Sequence, residues 1–300
     1  MLALSPNIRF GPPIQICSMQ KPEPIHCVGL FPGLNTLLLD VLRNLTPEDW
    51  ARPTVCSQWD VKDVTAHILD GMMRRLSLQR DGYSPGGSGG TRSYAELVAF
   101  INRMNMDWTS ALKRVSPSIL IQLLESTGRE FHAFFETLDP HGPAIFPVAW
   151  AGEEYSENWF DIARDYTEQW IHQQQIRDAV GALGPLTDAT FGPPAFDTFM
   201  RGLPHAFRNT AASTGTTVQV DIAGDGGGRW FVVRDGDAWL CATDSGGKHA
   251  AAVRFDPDMA WRIISKRMTA DEVRATFGRI EYTGDESLIT PVLELTSVMA

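Results

Sequence analysis

The spacing of apolar residues changes once along this chain, near Thr210, and this change constrains the fold more than any other feature of the sequence. Before Thr210, apolar residues recur every three or four positions, as Val61, Val64, Ile68 and Met72 do, and this spacing is typical of amphipathic helices. After Thr210, short segments alternate polar and apolar residues, which is typical of half-buried strands. The sequence therefore predicts a helical part followed by a smaller part that mixes strands and helices.

The helices predicted for the first part are long. They cover 31–45, 61–80, 93–115, 116–138, 156–179 and 195–209, with a glycine-rich loop at 82–90. In the second part, strands are predicted at 216–222, 229–233, 238–241, 251–255 and 279–282, and helices at 256–264, 269–277 and 285–299. We therefore expect a Pro-rich N-terminal extension at 1–28, a bundle built around four long helices at 29–212 and a small α+β domain at 213–300.

The composition limits the classes of partner. A net charge of -10, from 36 acidic and 26 basic residues, argues against a nucleic-acid binder, which needs a basic face for phosphates. No run approaches the ~20 apolar residues of a membrane span, and the N-terminus lacks the pattern of a secretion leader. The four cysteines show no Cys-x-x-Cys spacing, so no cysteine zinc knuckle is expected. We expect a cytoplasmic protein with a small-molecule substrate and no nucleic-acid or membrane partner, whose long helices allow a homodimer.

The residues with the clearest chemical meaning are Glu168 and His172. They are four positions apart on a predicted helix, so they lie on one face, one turn from each other. A carboxylate and an imidazole placed in this way can bind one divalent metal ion if a third ligand comes from another helix, and His67 is the candidate. The spacing alone leaves two alternatives open. Glu168 and His172 can form a surface ion pair, and a histidine on an apolar helix can be a core residue whose hydrogen bonds are satisfied.

Two segments resemble a known family. The first is Trp59-Asp60-Val61-Lys62-Asp63-Val64-Thr65-Ala66-His67-Ile68, which is similar to the first metal-ligand helix of the DinB-like superfamily and, more closely, of the mycothiol-dependent maleylpyruvate isomerase family. The second begins Glu168-Gln169-Trp170-Ile171-His172 and continues to Gly181, and it resembles that family's Glu-x-Trp-x-His-x-x-Asp-Ile-Arg helix. Segments 255–262 and 283–285 are similar to the family's C-terminal domain. The resemblance covers roughly 30–300.

This resemblance implies a fold and a site. The fold is a DinB-like four-helix bundle followed by a sterol-carrier-like α+β domain. The implied metal ligands are His67, Glu168 and His172, with zinc as the implied metal. Family members activate a low-molecular-weight thiol such as mycothiol, whose thiolate is stabilised by the cation. Gln175 stands where the family usually has Asp, and this departure bears on the substrate more than on metal binding.

The resemblance implies a thiol S-transferase or an isomerase, and acidic substrates of such an enzyme need arginine partners. Arg279 is the candidate from the family pattern, and Arg92 and Arg103 are further candidates on the loop and helix after the first ligand helix. Each can also be a solvated surface residue. Two other functions stay open. One is a metal-dependent hydrolase that uses the metal-bound water without a thiol. The other is a non-catalytic protein that binds a small molecule.

Overall fold

The computed structural model describes residues 22–83, 94–244, 249–265, 268–278 and 280–295. Its α-helices are α1 (Phe31–Arg43), α2 (Pro47–Trp50), α3 (Val61–Arg75), α4 (Tyr94–Leu112), α5 (Pro117–Phe135), α6 (Asn158–Val180), α7 (Gly192–Met200), α8 (Leu203–Ala206), α9 (Pro257–Ile264), α10 (Ala270–Phe277) and α11 (Thr290–Leu293). Its strands are β1 (Thr217–Ile222), β2 (Gly228–Asp235), β3 (Ala238–Ala242), β4 (Ala251–Phe255) and β5 (Glu281–Gly284). Several predicted features lie outside the described residues: most of the N-terminal extension, most of the glycine-rich loop, Arg92, Arg279 and the end of the last predicted helix.

The start of α3 follows directly from its sequence. The Asp60 carboxylate accepts a hydrogen bond from the Asp63 backbone N–H at 2.8 Å, and the Asp63 carboxylate accepts one from the Asp60 backbone N–H at 3.3 Å. This reciprocal pair satisfies two backbone donors that a helix N-terminus otherwise leaves open. The end of α6 is at Gly181, whose φ of 71° places it in the left-handed region. The start of α3 and the end of α6 are thus where the sequence predicts them, whereas α3 ends at Arg75 and α6 begins at Asn158.

Four helices close a ring around the core of the helical part. α1 packs on α5 and α6, α3 packs on the same two helices, and α4 lies against α3. Phe31 of α1 sits at the centre of an aromatic cluster, with ring centroids 5.6 Å from Phe131, 5.3 Å from Phe135 and 5.6 Å from Tyr166. The core also includes Ile25 and Cys27, so the chain joins it before α1 begins.

The second part is a five-stranded sheet, in the described residues, with the order β3-β2-β1-β4-β5. Neighbouring strands are antiparallel except β1 and β4, which pair in parallel. The β1–β2 turn approaches the helical part so closely that a Cβ on Gly226 would lie 2.2 Å from the carbonyl oxygens of Thr187 and Asp188. Only glycine fits there, so this turn docks the sheet onto the segment that follows α6.

The predicted fold class is confirmed, because a helical N-terminal part is followed by a mixed sheet with its own helices. Two helices differ most from the prediction. The helix expected at 195–209 is broken into α7 and α8 around Gly202, because Pro204 has no backbone N–H with which to continue α7. Among the described residues, the last helix is α11, Thr290–Leu293, which follows a short 3-10 turn. Within the described residues, no helix combines the length and the apolar character needed to cross a bilayer.

Candidate metal centre

The packing of α3 against α6 brings three predicted residues together. His67 projects from α3, and Glu168 and His172 project from α6. One ligand atom from each residue lies within 4.8 Å of the others. The imidazole rings of His67 and His172 meet edge to face with centroids 4.6 Å apart. Two imidazole nitrogens and a carboxylate oxygen form a donor set suited to a divalent transition metal such as zinc.

Gln175 fixes how His172 faces this cluster. The Gln175 side-chain oxygen lies 2.9 Å from Nδ1 of His172. Because a carbonyl oxygen can only accept, this contact requires the ring proton on Nδ1 and leaves a lone pair on Nε2. Nε2 in turn faces the Glu168 carboxylate at 3.5 Å. Two electron-rich atoms therefore point at each other, and a proton or a divalent cation between them would relieve the repulsion. The residues present fit a bound metal ion.

The surroundings keep Glu168 ionised. Its side chain is 32% exposed, and burial by itself would raise the pKa of the carboxyl. The contact with His172, together with the charges of Arg164 and Arg74, outweighs burial and holds the pKa of Glu168 below its ordinary value. The carboxylate is therefore negatively charged at neutral pH, as a metal ligand must be.

Two residues form the wall of the cluster. The Trp59 ring lies 4.8 Å from the His67 ring and 6.4 Å from the His172 ring, so the indole covers both imidazoles on one side. Cys56 is buried beside Gln175, and its thiol donates a hydrogen bond to the Gln175 side-chain oxygen at 3.2 Å. His172 itself is only 5% exposed. The cluster is thus shielded from bulk water along the side of Trp59 and open mainly at Glu168.

A buried ion network holds α3 and α6 together beside the cluster. Arg75 of α3 donates to Asp161 at 2.7 Å and to Asp165 at 2.8 Å, both on α6. Arg164 completes the network with contacts of 2.7 Å to Asp161 and 2.9 Å to Asp165. Two guanidinium groups and two carboxylates thus compensate each other out of water. The network fixes the relative position of the two helices that carry the donor residues.

The predicted arginines do not gather at the cluster. Arg103 lies exposed on α4 and makes no hydrogen bond or ion pair with any described residue, and Arg92 and Arg279 lie outside the described part of the chain. The arginines whose charge reaches Glu168 are instead Arg164 and Arg74, which the sequence analysis missed. Helical spacing contained the signal, since Arg164 precedes Glu168 by four residues on the same helix.

The chain resembles known proteins both in a family model and in its fold. Residues 34–177 match the family model described as "Mycothiol maleylpyruvate isomerase N-terminal domain". The chain is also similar to the crystal structures of the mycothiol-dependent maleylpyruvate isomerase and of its histidine-to-alanine mutant, each with a TM-score of 0.50 and 11% identity, covering 85% of this chain and 91% of the other. No curated protein matches the sequence significantly. The segment matched by the family model includes His67, Glu168 and His172.

Proposed function

Since the helical part of this chain, residues 34–177, belongs to the mycothiol maleylpyruvate isomerase N-terminal domain family, we propose that the protein is a metal-dependent enzyme that uses a low-molecular-weight thiol. The observation that carries this proposal is the meeting of His67, Glu168 and His172, with donor atoms within 4.8 Å of one another. The reaction is cis–trans isomerisation of a small electrophilic acid such as maleylpyruvate, or transfer of the thiol to such a substrate.

The three donors would hold one divalent ion, with zinc as the proposed metal. When bound, the cation supplies positive charge that stabilises a thiolate near neutral pH. Three protein ligands leave room for a thiol or substrate, which is typical of catalytic sites. The chain itself contributes the ionised carboxylate of Glu168 and the free lone pair on Nε2 of His172, which the Gln175 contact maintains.

Isomerisation needs only addition and elimination at the substrate. The thiolate sulfur adds to one carbon of the double bond, the π electron pair moves onto the conjugated carbonyl as an enolate, and the carbon–carbon bond becomes single and rotates. Expulsion of the same thiol then restores the double bond in the other geometry. Trp59 limits water on one side of the site, which protects the electrophilic carbon from competing hydration.

The substrate carboxylates need positive partners, and Arg74 is one candidate. Its side chain is 43% exposed and its guanidinium pairs with Asp70 at 2.9 Å, so it can turn toward an anion at Glu168's open side. Arg164 adds positive charge from α6. Arg279, Arg92 and Arg103 remain proposed substrate contacts from the family resemblance, and an isomerisation assay of each alanine variant ranks all five arginines.

Metal analysis and a thiol-dependence assay test the proposal together. Purified wild-type protein should contain close to one divalent ion per chain, and His172→Ala should lose it. His132→Ala is the matched control, because His132 lies on α5 and pairs with Glu136 rather than with the donor cluster. Isomerisation of maleylpyruvate should require added mycothiol and should fall in step with metal content.

The alternatives give different results. Turnover without any thiol, with solvent oxygen entering the product, would identify a hydrolase. A ligand-binding function that survives His172→Ala in a folded protein would identify a non-catalytic binder. Wild-type protein without a stoichiometric divalent ion would rule out both enzymatic proposals.

A further inference from the structure

We propose that Gln175 is a positioning residue that fixes the proton of His172 on Nδ1 while adding no negative charge to the donor cluster. The part of this inference that concerns metal affinity rests on the proposed function. The part that concerns the histidine proton does not, because it can be observed in the metal-free chain.

The Gln175 oxygen has two buried donors. It accepts from Nδ1–H of His172 at 2.9 Å and from the Cys56 thiol at 3.2 Å. Gln175 is fully buried, at 0% exposure, so no solvent competes for this oxygen. Because both contacts converge on one atom, the amide orientation and the imidazole orientation determine each other.

The amide nitrogen of Gln175 indicates that packing does not explain a glutamine at this position. Nε2 of Gln175 is buried and has no hydrogen-bond partner among the described residues. A buried donor without an acceptor destabilises a fold, so a methionine of similar length would suit the core better. A methionine would lack the oxygen that accepts the hydrogen bond from His172. We infer that this acceptor oxygen explains the presence of glutamine at position 175.

A carboxylate would accept the same hydrogen bonds but would change the charge. A carboxylate behind a ligand histidine makes the imidazole a more basic and stronger metal ligand. The amide orients the ring without this effect, and the donor set of His67, Glu168 and His172 keeps a single negative charge. The Asp-to-Gln departure noted in the sequence therefore moves the site toward weaker metal binding and a more electrophilic cation.

The first test reads the proton directly. In full-length, metal-free protein at about pH 8, above the ordinary pKa of histidine, ¹⁵N-labelled His172 should show the Nδ1–H tautomer by long-range ¹H–¹⁵N NMR. Gln175→Met should lose this preference, whereas Gln174→Met should keep it. Gln174 is the matched control because it is the adjacent glutamine and is equally buried, at 1% exposure. An Nε2–H tautomer in the wild type would overturn the inference.

The second test measures zinc affinity by competition with a chromophoric chelator. Gln175→Glu should lower the dissociation constant by about tenfold and Gln175→Met should raise it by about tenfold, at the low end of the usual effect of residues behind a metal ligand. Gln174→Glu buries the same charge away from the ring and should change the constant far less. Equal changes of the zinc dissociation constant in Gln175→Glu and Gln174→Glu would refute the inference that charge behind His172 sets the affinity. Wild-type protein that binds no zinc would refute the proposed function, while the tautomer would still decide the role of Gln175.

Discussion

Replacing Arg75 by methionine removes one corner of the ion network between α3 and α6 and preserves most of the length of the side chain. Arg75 is 4% exposed at its side chain and Asp161 is 2% exposed, so their contact of 2.7 Å is fully desolvated. The substitution leaves Asp161 and Asp165 to share the single guanidinium of Arg164. One buried negative charge then lacks compensation.

The cost follows from that uncompensated charge. Removing one partner of a buried ion pair typically destabilises a protein by about 3–5 kcal/mol. Arg164 still contacts Asp161 at 2.7 Å, so we expect the low end, about 3 kcal/mol. At about 2 °C per kcal/mol for a chain of this size, the melting temperature should fall by about 6 °C.

Urea denaturation followed by tryptophan fluorescence measures this loss, with Arg43→Met as the control. Arg43 also bridges two helices, contacting Glu125 at 2.8 Å, but the two side chains are 45% and 43% exposed. An exposed pair contributes at most about 1 kcal/mol. The double variant Arg75→Met/Asp161→Asn should lose less than the sum of its single variants, by about 0.5–3 kcal/mol. Equal losses in the two methionine variants, or strict additivity in the double variant, would refute the electrostatic explanation.

Three further predictions use the same denaturation assay. Zinc at 100 times its dissociation constant should stabilise the wild type by about 2.7 kcal/mol, and EDTA should reverse this stabilisation. Zinc should not stabilise His172→Ala. Equal stabilisation of both proteins would place the metal site elsewhere. Burial raises the pKa of Asp161, but the charges of Arg164 and Arg75 outweigh burial and hold the pKa below its ordinary value of 3.8. The contribution of Asp161 to the free energy of unfolding is therefore complete above that pH and is lost as the pH falls through the lower folded pKa. A wild type and an Arg75→Met variant with identical acid profiles would contradict this. Tyr166→Phe should cost about 1 kcal/mol, since the phenol donates to the backbone oxygen of Phe191 at 3.0 Å, whereas the 91% exposed Tyr155 should tolerate the same change.

The fold was largely predictable because its signals are local. The strand at 251–255 was predicted with the bounds that β4 has, since alternation of apolar residues needs only a few positions to be recognised. The parallel pairing of β1 and β4 was not predicted. Strand order depends on how the sheet packs against the helices, and no short segment carries that information. The break near Gly202 does have a local signal, because Pro204 has no backbone N–H to donate to the residue four positions before it, and the helix prediction over 195–209 overlooked it.

The donor cluster was partly predictable for the same reason. The spacing of Glu168 and His172 places them on one face of a helix, and the family resemblance adds His67 from another helix. Their binding of a metal stays a prediction. The contact between Cys56 and Gln175 joins residues 119 positions apart, and nothing in either local sequence indicates it.

The burial of α6 has a consequence for its motions. Its buried residues include Phe160, Tyr166, Trp170 and Ile176, so the helix is covered on more than one face rather than along one stripe. Amide groups in such a helix exchange with deuterium only when the surrounding helices separate, and so their exchange should follow the slowest opening of the molecule. Glu168 and His172 thus sit on a helix that opens only together with the bundle, so a substrate that enters at the exposed side of Glu168 would meet donor groups whose positions are already set.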